Sequence, residues 1–397
     1  MSGNLYDAVI IGGGMSGLTA AIALAKRGRS VAVISRGNPA CCLSTGCIDV
    51  LSDTDDPLRD IERLPGKHPY HIVGRQAIME ALEFFREVMA RTGLPYEGDI
   101  NRNRTILTPL GTKKITCLVP VTMAAADPHA DGPLHIVTFA GLKDFYPSYI
   151  TARSETTRYS VFNAGVSTTA ALAERFEEAR FRDEFVTWLR ERSHPDEAVA
   201  VPAVLGIRTA PAILRELVER LEQVIFEIPT LPPSIPGQRL FTRLKNVFLE
   251  QGGDLYWGRD IASFERLGDR IEAVTLETSG RPTRVEGRAF ILATGSFISG
   301  GLFASMEGVR ETVFNLSTYL PSERKHWFNE NFFTPGHPVE KAGIRVDSTF
   351  RPLHSGFANL FVCGSILAFS EVMKYGCGHG MAIATAAAAA RMCERQL

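Results

Sequence analysis

Gly12, Gly14 and Gly17 stand in Gly12-Gly13-Gly14-Met15-Ser16-Gly17 as a G-x-G-x-x-G. This spacing lets backbone N–H groups approach a phosphate. The first glycine permits a tight turn, the second lets the chain reach a pyrophosphate, and the third lets a helix pack closely on a strand. Three more glycine corners follow late in the chain: Thr294-Gly295 after an apolar run, Gly364 after Asn359–Cys363, and Gly376-Cys377-Gly378-His379-Gly380 before a terminal helix. Glycines before a helix start let a planar ring lie against its first N–H groups. The helix dipole, worth about 0.3–1 kcal/mol for an exposed charge, would favour negative charge on such a ring.

Other chemistry-bearing residues are fewer. A dinucleotide fold usually ends its second strand in Asp or Glu to hold ribose hydroxyls, but here the strand ends in Ser35-Arg36. Arg36 either meets a 2′-phosphate or is a solvated surface residue. Cys42 and Cys47 have a C-x-x-x-x-C spacing, which in disulfide reductases passes electrons by thiol–disulfide exchange. That class needs a second nucleotide fingerprint in mid-chain, and residues 60–290 contain none. His379, in the last glycine turn, is the first candidate for a general base or for a cofactor contact, ahead of His354 and His337. Arg153, Arg158 and Arg208 are candidate clamps for an anionic substrate. No C-x-x-C or H-x-x-x-H pair suggests a metal site.

The elements that must position these residues read clearly at both ends of the chain. Tyr6–Ile11 is an apolar strand, Met15, Leu18, Ile22 and Ala25 mark one face of a helix, and Ser30–Ile34 is a second strand. Arg75–Arg91 has amphipathic helical spacing, and Arg104–Leu107 with Lys113–Val119 reads as a hairpin. Leu134–Ala140 reads as a strand, and Thr169–Arg192 and Ala210–Val224 as helical patterns. Ile228–Gly237 is proline-dense and marks a domain crossing. A helix over Gln238–Glu250 leads into strands at Asp254–Trp257, Ala262–Leu267, Ile271–Glu277, Thr283–Val285 and Ala289–Ala293. The fold class expected is α/β: a Rossmann-like FAD/NAD(P)-binding fold from residues 1–70 and 225–397, with 71–224 as an inserted α+β substrate or cap domain.

Composition narrows the function. With 397 residues, 45% hydrophobic, the chain can bury a large core, and a net charge of −1 argues against nucleic acid as a partner. No run of 18 apolar residues is present, and the first residues lack the pattern of a signal peptide. Seven scattered cysteines fit a reducing cytoplasm better than a disulfide framework.

As an ordered set, GGGMSG, GGDLYWG, FILATG, GIRVD, NLFVCGS and the glycine-rich terminal helix resemble the FAD-dependent oxidoreductases of the fumarate reductase branch. LSTGCIDVLS, GIRVDSTFRPLHSGFANLFVCGSIL and GCGHGMAIATA are similar to the B-subunit family of anaerobic glycerol-3-phosphate dehydrogenase. Ser44, Thr45 and Gly46 lie where such a flavoprotein runs past its ring, so they join Gly12, Gly14, Gly17, Ser35, Arg36, Thr294, Gly295, Gly364 and Gly378 as candidate cofactor contacts. The resemblance implies FMN, whereas the fingerprint, with its pyrophosphate-binding Gly14, suggests FAD. It also implies a catalytic dimer with a sister flavoprotein subunit, docked on a membrane-associated iron–sulfur subunit at the cytoplasmic face of the membrane. The implied reaction is oxidation of sn-glycerol 3-phosphate to dihydroxyacetone phosphate, with electrons passed to quinone in anaerobic respiration. Two other readings stay open: an electron-relay or structural subunit, and a stand-alone flavin dehydrogenase or a disulfide reductase using Cys42 and Cys47.

Overall fold

In chain order, the strands of the two larger sheets are β1 (Leu5–Ile11), β2 (Val31–Ser35), β3 (Leu134–Phe139), β4 (Thr157–Phe162), β5 (Ala198–Pro202), β6 (Ile225–Ile228), β7 (Asp254–Trp257), β8 (Ile261–Leu267), β9 (Arg270–Leu276), β10 (Thr283–Leu292) and β11 (Leu360–Val362). The longer helices are α1 (Met15–Ala25), α2 (Arg75–Arg91), α3 (Thr169–Glu177), α4 (Ala179–Arg190), α5 (Ala210–Leu221), α6 (Ile235–Glu250) and α7 (Gly378–Gln396). The structure, a computed structural model, describes residues 5–125, 132–277 and 280–397. They divide into two compact units. The first takes the chain through Ala40, Asp49–Val88 and Leu244–Leu397; the second takes Cys41–Ile48 and Met89–Arg243. These boundaries differ from the expected 70/71 and 224/225: residues 71–88 fall in the first unit, and 41–48 and 225–243 in the second.

The first unit is built on one sheet in the order β7-β2-β1-β10-β9-β8, with β11 beside the second half of β10. β2, β1, β10, β7 and β11 run parallel, and β9 and β8 turn back as an antiparallel extension. β2 is buried along its whole length, which is why Val31–Ile34 reads as a continuous apolar run rather than an alternating one. β10 does two jobs. Its first residues pair with β9, and Phe290–Leu292 pair with β11. The sequence reads these halves as two strands, but they form one ten-residue strand. α1 and α7 pack together beside this sheet; Ala388, Ala389 and Ala390 of α7 are buried, so the alanine-rich face permits a close approach.

The second unit has an all-parallel sheet in the order β6-β5-β3-β4. Its core includes the rings of Phe139, Phe162, Phe176, Phe181 and Phe185 in edge contacts, with Phe176 and Phe181 centroids 5.1 Å apart. The helical pattern over Thr169–Arg192 is broken at Glu178, whose backbone is extended. Neither glycine nor proline marks that break. β5 and β6 are too short and too apolar to be told from loop or buried helix by periodicity.

Candidate cofactor site

The first unit brings its glycine corners together at the carboxyl ends of β1, β10 and β11. Gly12 leaves β1 at φ +114°, and a Cβ there would stand 2.2 Å from the Ala293 carbonyl oxygen at the end of β10. A Cβ on Gly17 would stand 1.7 Å from the Gly12 carbonyl oxygen, so α1 can sit this close to the turn only because position 17 is bare. Gly364, at the end of β11, is held between the two helices. Its N–H donates to Thr385 Oγ1 of α7 at 3.0 Å, and a Cβ on it would come within 2.2 Å of Ser16 Oγ in the first turn of α1.

Two helix starts at this site lack a side-chain cap. Among the described residues no side chain caps α1 or α7, and neither has an acid in its first turn. Gly14 has φ −84° and only Pro39 near its missing Cβ, at 3.6 Å. Nothing lies within 4 Å of a Cβ built on Gly378. Thr294 Oγ1 is buried without a hydrogen-bond partner among the described residues, 2.6 Å from where a Gly301 Cβ would be. Gly295, at φ +75°, starts the turn that packs on Ser299. The uncapped start of α1, a bare face at Gly14 and an orphaned hydroxyl fit a phosphate-bearing cofactor. Thr385 is seven residues into α7, about 10 Å along its axis, so the start of α7 lies that far from the Gly364 contact.

The last glycine turn is pinned from below by the segment after Asp49. Ser52 N–H donates to the Tyr375 carbonyl at 2.9 Å, Ser52 Oγ to the Gly376 carbonyl at 3.2 Å, and Gly380 N–H to the Asp49 carbonyl at 2.9 Å. His68 is buried, with Nε2 3.2 Å from the Ser370 carbonyl and Nδ1 accepting from Tyr70 N–H at 3.3 Å. Burial lowers its pKa from 6.5 to about 4, so it is neutral at pH 7. Cys377 Sγ lies 3.9 Å from His68 Nε2. In sequence His68 reads as part of a loop, and only contacts across 309 positions reveal its role. His379 is half-buried in the first turn of α7. His337 instead accepts from Asn329 N–H through Nδ1, while its own N–H donates to Glu340 Oε1, and His354 is exposed.

At the end of β2, Ser35 is buried. Its hydroxyl donates to the Gly37 carbonyl, and a Cβ on Gly13 would meet Oγ at 2.7 Å. Arg36 Nε donates to Asp260 Oδ1 at 2.5 Å. Sequence reasoning misses Asp260 because it does not predict that β7, just before it, lies against β2.

Ser44, Thr45 and Gly46 belong to the second unit. Ser44 Oγ donates to the Cys41 carbonyl and accepts from Gly46 N–H, while Thr45 Oγ1 accepts from Cys47 N–H. Gly46, at φ +76°, lies against Pro236, and its carbonyl accepts from Tyr96 Oη at 2.7 Å. All seven cysteines are free thiols. Cys42 interacts with its neighbour Cys41, and that hydrogen bond pushes the Cys41 thiol up and the Cys42 thiol down in pKa.

The three candidate clamp arginines are committed within the chain. Arg158 holds Glu197 through Nε at 2.6 Å and Nη2 at 2.5 Å, and this pairing lowers the Glu197 carboxyl to about 2. Arg208 pairs with Glu174, and Arg153 donates to the Gly111 carbonyl. The topological switch point of the second unit lies between β3 and β5, where open α/β sheets take ligands. The anion position at the start of α5 is filled from within. Glu177 Oε1 accepts from the N–H groups of Ile207, Arg208 and Thr209 at 2.6–3.1 Å, and Oε2 accepts from Thr209 Oγ1 at 2.7 Å. Burial raises the pKa of this carboxyl, but those bonds outweigh it and hold it ionised below its ordinary range.

Comparison with known proteins adds three findings. A family described as FAD binding domain matches residues 7–381. The B subunit of anaerobic glycerol-3-phosphate dehydrogenase from Pectobacterium atrosepticum is 31% identical over 96% of this chain and 96% of its own length; that of Vibrio cholerae is 29% identical over 96% and 94%. Among solved structures, the 3-ketosteroid delta1-dehydrogenase of Sterolibacterium denitrificans matches 99% of this chain and 100% of its own, with 12% identity and a TM-score of 0.47.

Proposed function

The chain belongs to the FAD binding domain family and, within it, to the B subunits of anaerobic glycerol-3-phosphate dehydrogenase, and from that premise we propose that it holds the flavin through which the complex oxidises glycerol 3-phosphate. The observation that carries this reading is Gly364 clasped between Ser16 and Thr385, which ties the first turn of α1 and the body of α7 to the end of β11. FAD, rather than the FMN that the B-subunit resemblance implies, is the cofactor that the FAD binding domain match and Gly14 favour.

When bound, the flavin supplies a two-electron acceptor. The protein's part is to bind and orient. The first N–H groups of α1 would hold the cofactor's phosphate, with Gly14 leaving room for it. The start of α7, with Gly378 bare, would receive the ring, and its dipole would favour negative charge there. His379, on that first turn, takes the proton from the substrate hydroxyl. His68, neutral and buried, keeps the turn in place through the Ser370 carbonyl.

In this reading the partners are a sister flavoprotein and an iron–sulfur protein that passes electrons to quinone. Among the described residues no helix is long and apolar enough to cross a membrane, and the proposed place of the chain is the inner face of the cytoplasmic membrane, held through its iron–sulfur partner. The test is the co-expressed complex assayed with sn-glycerol 3-phosphate and an artificial dye while flavin is stripped from this chain by the Gly14→Ala substitution. Dye reduction should fall in proportion to the flavin lost. Full activity without flavin in this chain would overturn the reading.

A further inference from the structure

The end of β2 lacks the ribose-binding acid, yet a carboxylate stands beside it. β7 pairs with β2 in parallel, Trp257 opposite Ser35, and Arg259 N–H donates to the Ser35 carbonyl at 3.1 Å. The next residue, Asp260, therefore emerges at the same carboxyl edge of the sheet as Arg36. Arg36 Nε donates to Asp260 Oδ1 at 2.5 Å. A Cβ on Gly300 would lie 3.0 Å from Arg36 Nη1, so the guanidinium is also backed by the turn after Gly295.

The pair is only half satisfied. Among the described residues Asp260 Oδ2 accepts nothing, and neither terminal nitrogen of Arg36 donates. The side chains are 41% and 64% exposed respectively, so both are accessible to a ligand. One open carboxylate oxygen beside fixed donors suits a vicinal diol, whose hydroxyls both donate and accept. It suits a 2′-phosphate poorly, because Asp260 already neutralises Arg36 and would repel a second anion.

We propose that Asp260, carried by the neighbouring strand and positioned by Arg36, supplies the carboxylate that receives the adenosine ribose hydroxyls of the dinucleotide. The inference rests on the FAD reading above and extends it to a residue outside the fingerprint. It also removes the conflict between a pyrophosphate-type glycine turn and a second strand without an acid.

The test is fluorescence titration of the full chain, freed of flavin, with FAD, FMN and FAD lacking the adenosine 2′-hydroxyl. Asp260→Asn should weaken FAD binding by about tenfold to a hundredfold, the usual range for a hydrogen bond to a charged group. It should leave FMN binding within about twofold, which also reports an intact fold. Removing the 2′-hydroxyl should cost the unmodified protein a similar factor and cost Asp260→Asn nothing further. Arg36→Ala should lower FAD affinity and blunt the 2′-hydroxyl dependence without changing FMN binding. If the unmodified protein binds FAD but is indifferent to the 2′-hydroxyl, Asp260 has no such role, whatever the variants do. If it takes FMN and refuses FAD, the dinucleotide reading fails and this inference fails with it.

Discussion

The Gly364 N–H donates to Thr385 Oγ1 at 3.0 Å, tying the end of β11 to the second turn of α7. Gly364 also sits at φ +83° with Ser16 Oγ in the space a Cβ would need. Gly364→Ala should destabilise the protein by about 1–3 kcal/mol, from left-handed backbone strain and the contact with Ser16. Thr385→Val should cost about 1–3 kcal/mol by leaving a buried N–H unmet. Denaturant melts of both variants check this, and flavin retention should fall with stability.

Glycine substitutions separate folding from binding. Gly17→Ala puts a methyl 1.7 Å from a backbone oxygen that cannot move aside, so folded protein should be lost. Gly14→Ala and Gly378→Ala meet no protein backbone and need no left-handed φ. Their flavin-free stability should stay within about 1 kcal/mol of the parent, while cofactor affinity falls. Thermal melts beside flavin titrations make the comparison.

His68 gives the fold an acid limit. Above pH 6.5 it is neutral whether the chain is folded or unfolded. As pH falls below 6.5 the unfolded chain takes a proton that the folded one refuses until about 4. Stability is therefore present above 6.5 and lost progressively down to about 4, with about 2 kcal/mol gone by pH 5. His68→Gln should flatten that part of the stability–pH curve in urea melts at pH 7 and pH 5.

Much of the first unit is legible in the sequence because its elements carry local signals. β1, α1 and β2 alternate apolar strand, glycine turn and helix within thirty-one residues, Leu5–Ser35. The terminal glycine turn announces α7 in the same way. Other features need pairings that no local pattern encodes. Asp260 matters only because β7 lies against β2, and His68 only because Ser370 comes to it across 302 positions. In the second unit Arg158 and Arg208 look like free cations in sequence, but Glu197 and Glu174 are already beside them.

The second unit has a buried charge pair to probe. Arg239 donates to Glu227 through Nη1 at 2.6 Å and Nη2 at 2.9 Å, and to the Gly206 carbonyl through Nε at 2.7 Å. Removing one partner, as in Glu227→Leu or Arg239→Met, should cost about 3–5 kcal/mol by stranding a buried charge. The double replacement Glu227→Leu with Arg239→Met should cost less than the two single losses summed. A double-mutant cycle in guanidinium reads the coupling.

His379→Asn tests the proton step. Turnover with glycerol 3-phosphate should fall about 10²–10⁴-fold, with flavin content unchanged and the pH dependence of the residual rate altered. Loss of flavin along with activity would instead mark His379 as a cofactor contact.

The most direct measurement is the mass of the flavin released by acid from this chain after it has been separated from its co-expressed partners. One FAD per chain is the expected result, with visible absorbance in the flavin bands before release. A colourless chain, or one that yields only FMN, would contradict the site built on Gly14, Gly364 and α7.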